Sequence, residues 1–573
     1  MAKQIAAFAL VLIACTLWGC AGGSGSGGSG SSSSNPPGSP AALAVIQQPA
    51  GATTGNAFAA QPRVEVRDAA NQRVTTDNTT QVAVAITAAT GTGGAVLSGT
   101  LTGTAFNGVV SFTGLSIDLA GTGYSLTFTA PGLTDAVSTG FAVTTPSAGG
   151  GQAPFVPPAP GGVATYYVDD STTASDTNTG TSPGAPWRSL QHAANQVQAG
   201  DIVEVADGSY SRFTLSSVIG TSGMPIIFRA SGMGAIINSG TSSSTAPDNR
   251  DAIKIYDCHY VIIHGLRTLN AYRAGCRVTE SFNVTIQGGV FGNGGTWGIF
   301  TDYSDDLVLE GNECHDSGTE HGIYFSNSGD RVHIRGNYCH DNNASGIQIN
   351  SDPAQQNAAF GTRGDGITVD SFIENNWCIG NGANGAAGLN FASIRNCDIR
   401  NNLVVNNLNQ SGIALWDDGF SSAYGSMNNR IYHNTVVFQT GVGRFCLIML
   451  NGSTGNDIKN NVFIGGRRGA ISWSSDSLSG TTADYNICRS VDAWPIFVND
   501  DTSQSYTLPQ WQALISGAPN SITTAPTFNG AADWSLAPGA GRDDGDSTLG
   551  VTTAHDGASR PLGGGFDRGC FED

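Results

Sequence analysis

A repeat constrains what this chain can fold into. The phrases Trp297-Gly298-Ile299-Phe300-Thr301, His321-Gly322-Ile323-Tyr324-Phe325 and Ser345-Gly346-Ile347-Gln348-Ile349 set their glycines 24 residues apart. Gly388-Leu389-Asn390-Phe391 and Gly412-Ile413-Ala414-Leu415 take the same step later. A second phrase, apolar-x-Gly/Asn-Asn with His433 in place of the Gly/Asn once, ends at Asn312, Asn337, Asn376, Asn402, Asn434 and Asn461. A unit of this length with two short strands cannot bury its apolar face alone, so successive units must stack as a solenoid. Strand alternation then turns Ile323 and Phe325 inward, and Tyr324 and Ser326 outward.

Stacking predicts columns. Two residues past each asparagine stand Cys314, Cys339, Cys378, Val404, Val436 and Phe463, with Phe291 one coil earlier, an apolar interior stripe in which the thiols serve as core. The asparagines, stacked about 4.8 Å apart, would hydrogen-bond along the axis. Glu310, Arg335, Glu374 and Arg400 fall on an outer face as alternating charges that attract between coils. With these regularities the chain resembles the right-handed parallel β-helix family of the pectate-lyase-like kind over roughly residues 164–573. The resemblance implies an all-β solenoid and a carbohydrate-active protein.

The front of the chain differs. Residues 1–20 hold Lys3, an apolar run from Ile5 to Leu17 and Leu17-Trp18-Gly19-Cys20, too short to span a membrane with polar flanks. This resembles a bacterial lipoprotein signal with Cys20 as the lipidated residue; Trp18 departs from the small residue usual there, which keeps ordinary secretion as the alternative. Either way the protein is exported, its only membrane contact a lipid anchor. Residues 21–40 form a Gly/Ser-rich tether. From 41 to 145, short alternating runs such as Val82-Ala83-Val84-Ala85-Ile86 between Gly/Asn/Asp/Thr turns predict a small β-sandwich, which resembles cysteine-free immunoglobulin-like modules and reads as a spacer. A Pro/Gly linker covers 146–163, the solenoid 164–520 and a terminal cap 521–573. Leu190, Ala193, Ala194 and Val197 at helical spacing, then Gly200, predict a short helix capping the first coil.

A formal charge of −19 argues against nucleic acid as a partner. Nothing in the chain asks for a second copy, and a monomer is expected. A functional surface should be a column. Two positions past the glycine run Lys254, Arg277, Phe300, Tyr324, Gln348, Asn390 and Ala414; two further along run Asp302, Ser326, Asn350, Ala392 and Trp416. Arg250, Arg273, Glu320, Asp251, Trp297 and His321 mark the corner before it. Four cations on two coils, Arg250, Lys254, Arg273 and Arg277, suit carboxylates or sulfates. Trp297, Phe300, Tyr324 and Trp416 offer rings to stack on sugars. Glycine-to-asparagine spacings of 14 and 15 residues lengthen to 30 after Gly346 and 22 after Gly412, so the insertions Ser351–Gly366 and Asp417–Asn428 would fence one side of this face.

Two chemistries compete. Elimination from an acidic polysaccharide, the first choice, needs a group to neutralise the uronate, a base and a proton donor. Arg277 or Asn350 would serve as the first, Lys254 or His321 as the second with Glu320 orienting the imidazole, and Tyr324 as the third. Arg250, Arg273, Trp297, Phe300, Gln348, Asn390 and Trp416 would bind substrate. Glycoside hydrolysis would draw its acid/base pair from Asp302, Glu320, Asp352, Asp365, Asp417 and Asp418; the same oxygens suit Ca2+, the one cofactor they suggest. His315 and His340 read as turn residues. A non-catalytic binding or adhesive rod is the third alternative.

Overall fold

A computed structural model describes residues 38–49, 52–53, 58 and 61–572 apart from 113, 118, 120, 145–156, 244–248, 492, 516, 531 and 532. The export signal, Cys20, most of the tether and much of the linker lie outside the described residues.

Among the described residues three long parallel sheets wind the chain into a β-solenoid. Sheet A has twelve strands from Tyr166–Val168 to Thr482–Asp484, and sheet B eleven from Gly208–Ser211 to Ile487–Arg489. Sheet C has twelve, from Phe213–Ser216 through Phe497–Asn499 to an antiparallel Ser505–Tyr506. Each coil contributes one strand to each sheet, so residues a coil apart become neighbours. Ile286, Leu309, Ile334, Ile373, Ile399, Ile431 and Ile458 line the inside of sheet A in one register, all fully buried. Cys314, Cys339, Cys378, Val404, Val436 and Phe463 do the same in sheet B, continued by Cys488. The nine cysteines among the described residues are buried free thiols.

The asparagine phrase has a geometric cause. The residue before each ladder asparagine turns the corner from sheet A to sheet B at positive φ, held by Gly311, Gly336, Asn375, Asn401, His433, Asn460 and Tyr485. Glycine and asparagine tolerate that region best. The next residue points inward: Asn337 Nδ2 donates to Asn376 Oδ1 at 3.0 Å and to the Leu309 carbonyl at 2.8 Å, while its own Oδ1 accepts the Asn312 backbone N–H at 3.0 Å. The ladder runs unbroken from Asn312 through Asn486.

Helix α1 (Leu190–Gln196), N-capped by Ser189, buries Leu190, Ala193 and Ala194 over the first coil. Helix α2 (Leu508–Leu514) closes the other end, with Trp511 stacked 5.2 Å from Phe497 and 4.7 Å from Trp473. The last stretch, expected as the terminal cap, runs back along the outside of sheet B instead. Cys570 and Phe571 cover Leu403 and Val405. Arg560 and Glu572 form a fully buried ion pair at 2.6 Å, and Arg560 also reaches the Gly569 carbonyl and Asn401. The outer apolar side chains of sheet B at these coils need a cover, and the tail supplies it.

Residues 40–144 form small, mostly antiparallel sheets around a core of their own that includes Val64, Val66, Phe112, Tyr124 and Phe128.

Candidate active face

Sheet C carries the column on its outer side. Lys254, Arg277, Phe300, Tyr324, Gln348, Asn390 and Ala414 are consecutive partners, and Asp302, Ser326, Asn350, Ala392 and Trp416 form the column beside them. Arg277, Tyr324 and Trp416 therefore share one face. Trp297, Phe300 and Tyr324 form an aromatic cluster with ring centres 4.3 Å (Trp297–Phe300), 5.4 Å (Phe300–Tyr324) and 6.1 Å (Trp297–Tyr324) apart. Burial pushes the Tyr324 phenol up to about 12, with the charges of Asp352, Glu320 and Asp418 adding to the rise, so it is a proton donor at neutral pH.

The cations read differently in three dimensions. Arg273 holds the buried Asp251 through contacts of 2.8 and 2.5 Å, and Arg277 holds Asp302 at 2.7 Å while lying 5.1 Å over the Phe300 ring. Both guanidiniums expected to wait for a substrate carboxylate already have one. Lys254 Nζ lies 5.3 Å over the Tyr256 ring, and the Arg250 carbonyl accepts the Arg273 N–H at 2.9 Å.

His321 is placed against its expected role as base. Its Nδ1 accepts the Ser345 backbone N–H at 3.0 Å, and burial lowers its pKa to about 3. The ring is neutral with its proton on Nε2, which faces Glu320 at 3.7 Å, so no lone pair is left for substrate. Glu320 accepts a 2.8 Å hydrogen bond from Trp297 Nε1 and braces the aromatic cluster more than the imidazole. Gln348 and Asn390 are largely buried and bonded to each other at 2.6 Å. Trp416 Nε1 is buried without a protein partner.

The two insertions meet. Gln356 Nε2 donates to the Tyr424 hydroxyl at 2.6 Å, Tyr303 OH donates to the Gln355 carbonyl at 3.0 Å, and Arg363 lies 4.1 Å over Phe282. Asn350 ends its strand between them. Its Nδ2 donates to Asp418 at 3.0 Å and its Oδ1 accepts the Asp352 backbone N–H at 2.9 Å. Asp352 and Asp418 both sit at positive φ, at 46° and 58°, an uncommon conformation for a residue with a side chain. Burial and the charge of Asp418 raise the Asp352 carboxyl above the ordinary range.

Six carboxylates stood open in the sequence, and the structure separates them. Asp417 is buried against the Gly419 N–H and Asn451, Asp365 accepts the Ile367 N–H, Asp302 holds Arg277 and Glu320 holds Trp297. Asp352 and Asp418 are the two that Asn350 joins to the end of the column. The only sequence signal for them was their place at the first turn of each insertion. Among the described residues no three His, Cys, Asp or Glu side chains converge as a metal centre. His315 and His340 are strand-end residues rather than turn residues, stacked 5.2 Å apart and braced by Asp316 and by Glu313 with Asp341.

Residues 226–371 and 298–436 match a family model described as the right handed beta helix region. The chain is 35% identical over 100 residues to the uncharacterized protein YwoF of Bacillus subtilis (strain 168), a match covering 18% of this chain and 21% of that protein. The chain thus spans about a fifth of the curated relative's length. Among solved structures, pectate lyase Pel9A is similar at TM-score 0.45 and 16% identity, over 71% of this chain and 96% of that one. An alginate lyase from Paenibacillus sp. str. FPU-7 gives 0.38 and 19%, over 54% and 94%, and a glycoside hydrolase 0.42 and 9%, over 59% and 95%. No described helix is long and apolar enough to cross a membrane.

Proposed function

We propose that the outer face of sheet C binds a polysaccharide and hydrolyses it, with Asp352 and Asp418 as the acid/base pair. The observation that carries this reading is Asn350, one side chain that accepts the Asp352 backbone N–H and donates to the Asp418 carboxylate, tying the two insertions together at the end of its strand. Glycoside hydrolysis asks for two carboxyl groups in unlike surroundings on either side of the scissile bond. Asp352, raised by burial and by its neighbour's charge, takes the part of the acid toward the leaving oxygen. Asp418, on the exposed rim and bonded to Asn350, is the partner carboxylate. Trp297 and Tyr324 offer ring faces to a pyranose, and the protonated Tyr324 hydroxyl donates to a sugar oxygen.

Elimination is the second reading, and the register of Lys254 with Arg277 favours it. Against it stand Arg277's existing partner and His321's occupied lone pair. The N-terminal sheets read as an immunoglobulin-like spacer, and the protein as an exported monomer tethered through lipidated Cys20. Incubation with a panel of neutral and acidic glycans tests the reaction. Reducing ends without unsaturated-uronate absorbance, abolished in Asp352→Asn and Asp418→Asn, are the expected result. Growth of that absorbance would replace hydrolysis by elimination, and retention of a glycan without cleavage would leave a binding module.

A further inference from the structure

Resting on the reading of sheet C as a glycan-cleaving face, we propose that Asp302 sets its charge preference, so that the glycan it accepts is uncharged where it crosses the Arg277 coil. Arg277 is the cation beside the aromatic cluster, and a uronate would need it. Its partner Asp302 is 6% exposed overall and keeps the guanidinium at 2.7 Å. An incoming carboxylate would have to displace Asp302 and leave that buried group without its counter-charge, which costs more than a partly exposed uronate pair returns.

The same pair says what does fit. Arg277 Nε and Asp302 Oδ1 are both buried from solvent, so the joined pair offers a ligand neither atom unless it is taken apart. A glycan hydroxyl needs no counter-charge and can lie against the intact pair, whereas a carboxylate can only accept and would need the guanidinium freed. The rest of the face agrees. Arg273 is likewise committed, to Asp251, a residue with no exposed surface. Glu320 is bonded to Trp297 of the aromatic cluster, and its charge and that of Asp418 act on the Tyr324 phenol. A polyanion approaching the cluster meets like charge there, and like-charge contact selects against a partner more strongly than it changes affinity for the right one.

The test uses the purified chain as wild type, as Asp302→Asn and as the double variant Arg277→Gln/Asp302→Asn, with retention and cleavage measured on xylan, mannan and galactan against polygalacturonate and alginate. Wild type is expected to act on a neutral glycan and ignore the uronates. Asp302→Asn, which frees the guanidinium while keeping the side chain's shape, is expected to gain at least about tenfold in uronate binding, the scale of one charge-assisted hydrogen bond. The double variant is expected to lose that gain. Melting curves for all three proteins separate a lost fold from a lost preference. Uronate preference in the wild type, or no gain in a folded Asp302→Asn, overturns the inference and leaves glycan cleavage standing. Failure of all three to bind any glycan overturns both.

Discussion

The outer faces of sheets A and C both carry paired charges, and they use them differently. On sheet A, Glu310 meets Arg335 at 2.8 Å and Arg400 meets Glu374 at 2.7 Å, each pair in one column and one coil apart. The charges are matched along the axis, and only short turns leave these strands for sheet B. On sheet C, Arg277 reaches diagonally to Asp302, aromatic rings continue its column, and two insertions stand at the strand ends. Identical coil physics built both faces. What separates a rod surface from a candidate site is the chain leaving the strand, because loops can carry carboxylates above a surface that in-register stacking keeps flat.

The sharpest way to break that contrast is to compare Asp352 or Asp418 with a sheet A carboxylate. Asp352→Asn and Asp418→Asn should each lower glycan cleavage by about 10²–10⁴-fold, the usual worth of a general acid or base, with the melting temperature kept. An equal loss in Glu310→Gln would erase the distinction. Because Asp352's carboxyl is raised, cleavage should also fall as pH climbs through that raised value, and a pH–rate profile that stays flat there would remove Asp352 as the acid.

The inside of the corner should respond in the opposite sense. Asn376→Ala strips the hydrogen bonds that Asn376 shares with Asn337, Asn402 and the Ile334 carbonyl. It should cost about 2–4 kcal/mol in urea unfolding, because buried partners are left unsatisfied. Asn350→Ala, at the end of the candidate site, should cost less stability and more cleavage.

Acid should act on the structural histidines first. His321, lowered to about 3, and His555, lowered to about 4 by burial, are neutral in the fold but take up a proton in the unfolded chain near pH 6.5. The unfolded state therefore binds more protons below that pH. Stability should be full above about 6.5 and fall on acidification towards 3–4, by up to about 1.4 kcal/mol per pH unit for each histidine. Urea midpoints measured from pH 7 to 4 check this, and a His321→Asn variant should flatten part of the slope. The smallest effect should come from Arg335→Ala. Its partly exposed pair with Glu310 is worth about 1 kcal/mol or less, and cleavage should be unchanged.

The fold could be read from the sequence because a solenoid makes sequence spacing into spatial neighbourhood. Asn312 and Asn337, or Tyr324 and Gln348, are adjacent as soon as the period is known. The aromatic face was legible by the same arithmetic. The charge state of that face was not. Asp251 was assigned to the corner surface, yet it turns inward under Arg273. His321 looked like a base until the Ser345 N–H was found on its nitrogen. The link from Asn350 to Asp418 joins residues 68 apart across two irregular insertions, where no period guides the eye. Equally hidden was the tail's return to Asn401, 159 residues before Arg560.

By itself, then, the sequence determined the winding, the inward stripes and the asparagine corner, since each follows from a local period of apolar, glycine and asparagine residues. Tertiary structure alone decided which charges are already paired, which carboxylates the insertions bring together and where the tail lies. Those outcomes depend on side chains meeting across loops, and a meeting of that kind leaves no periodic trace in the chain.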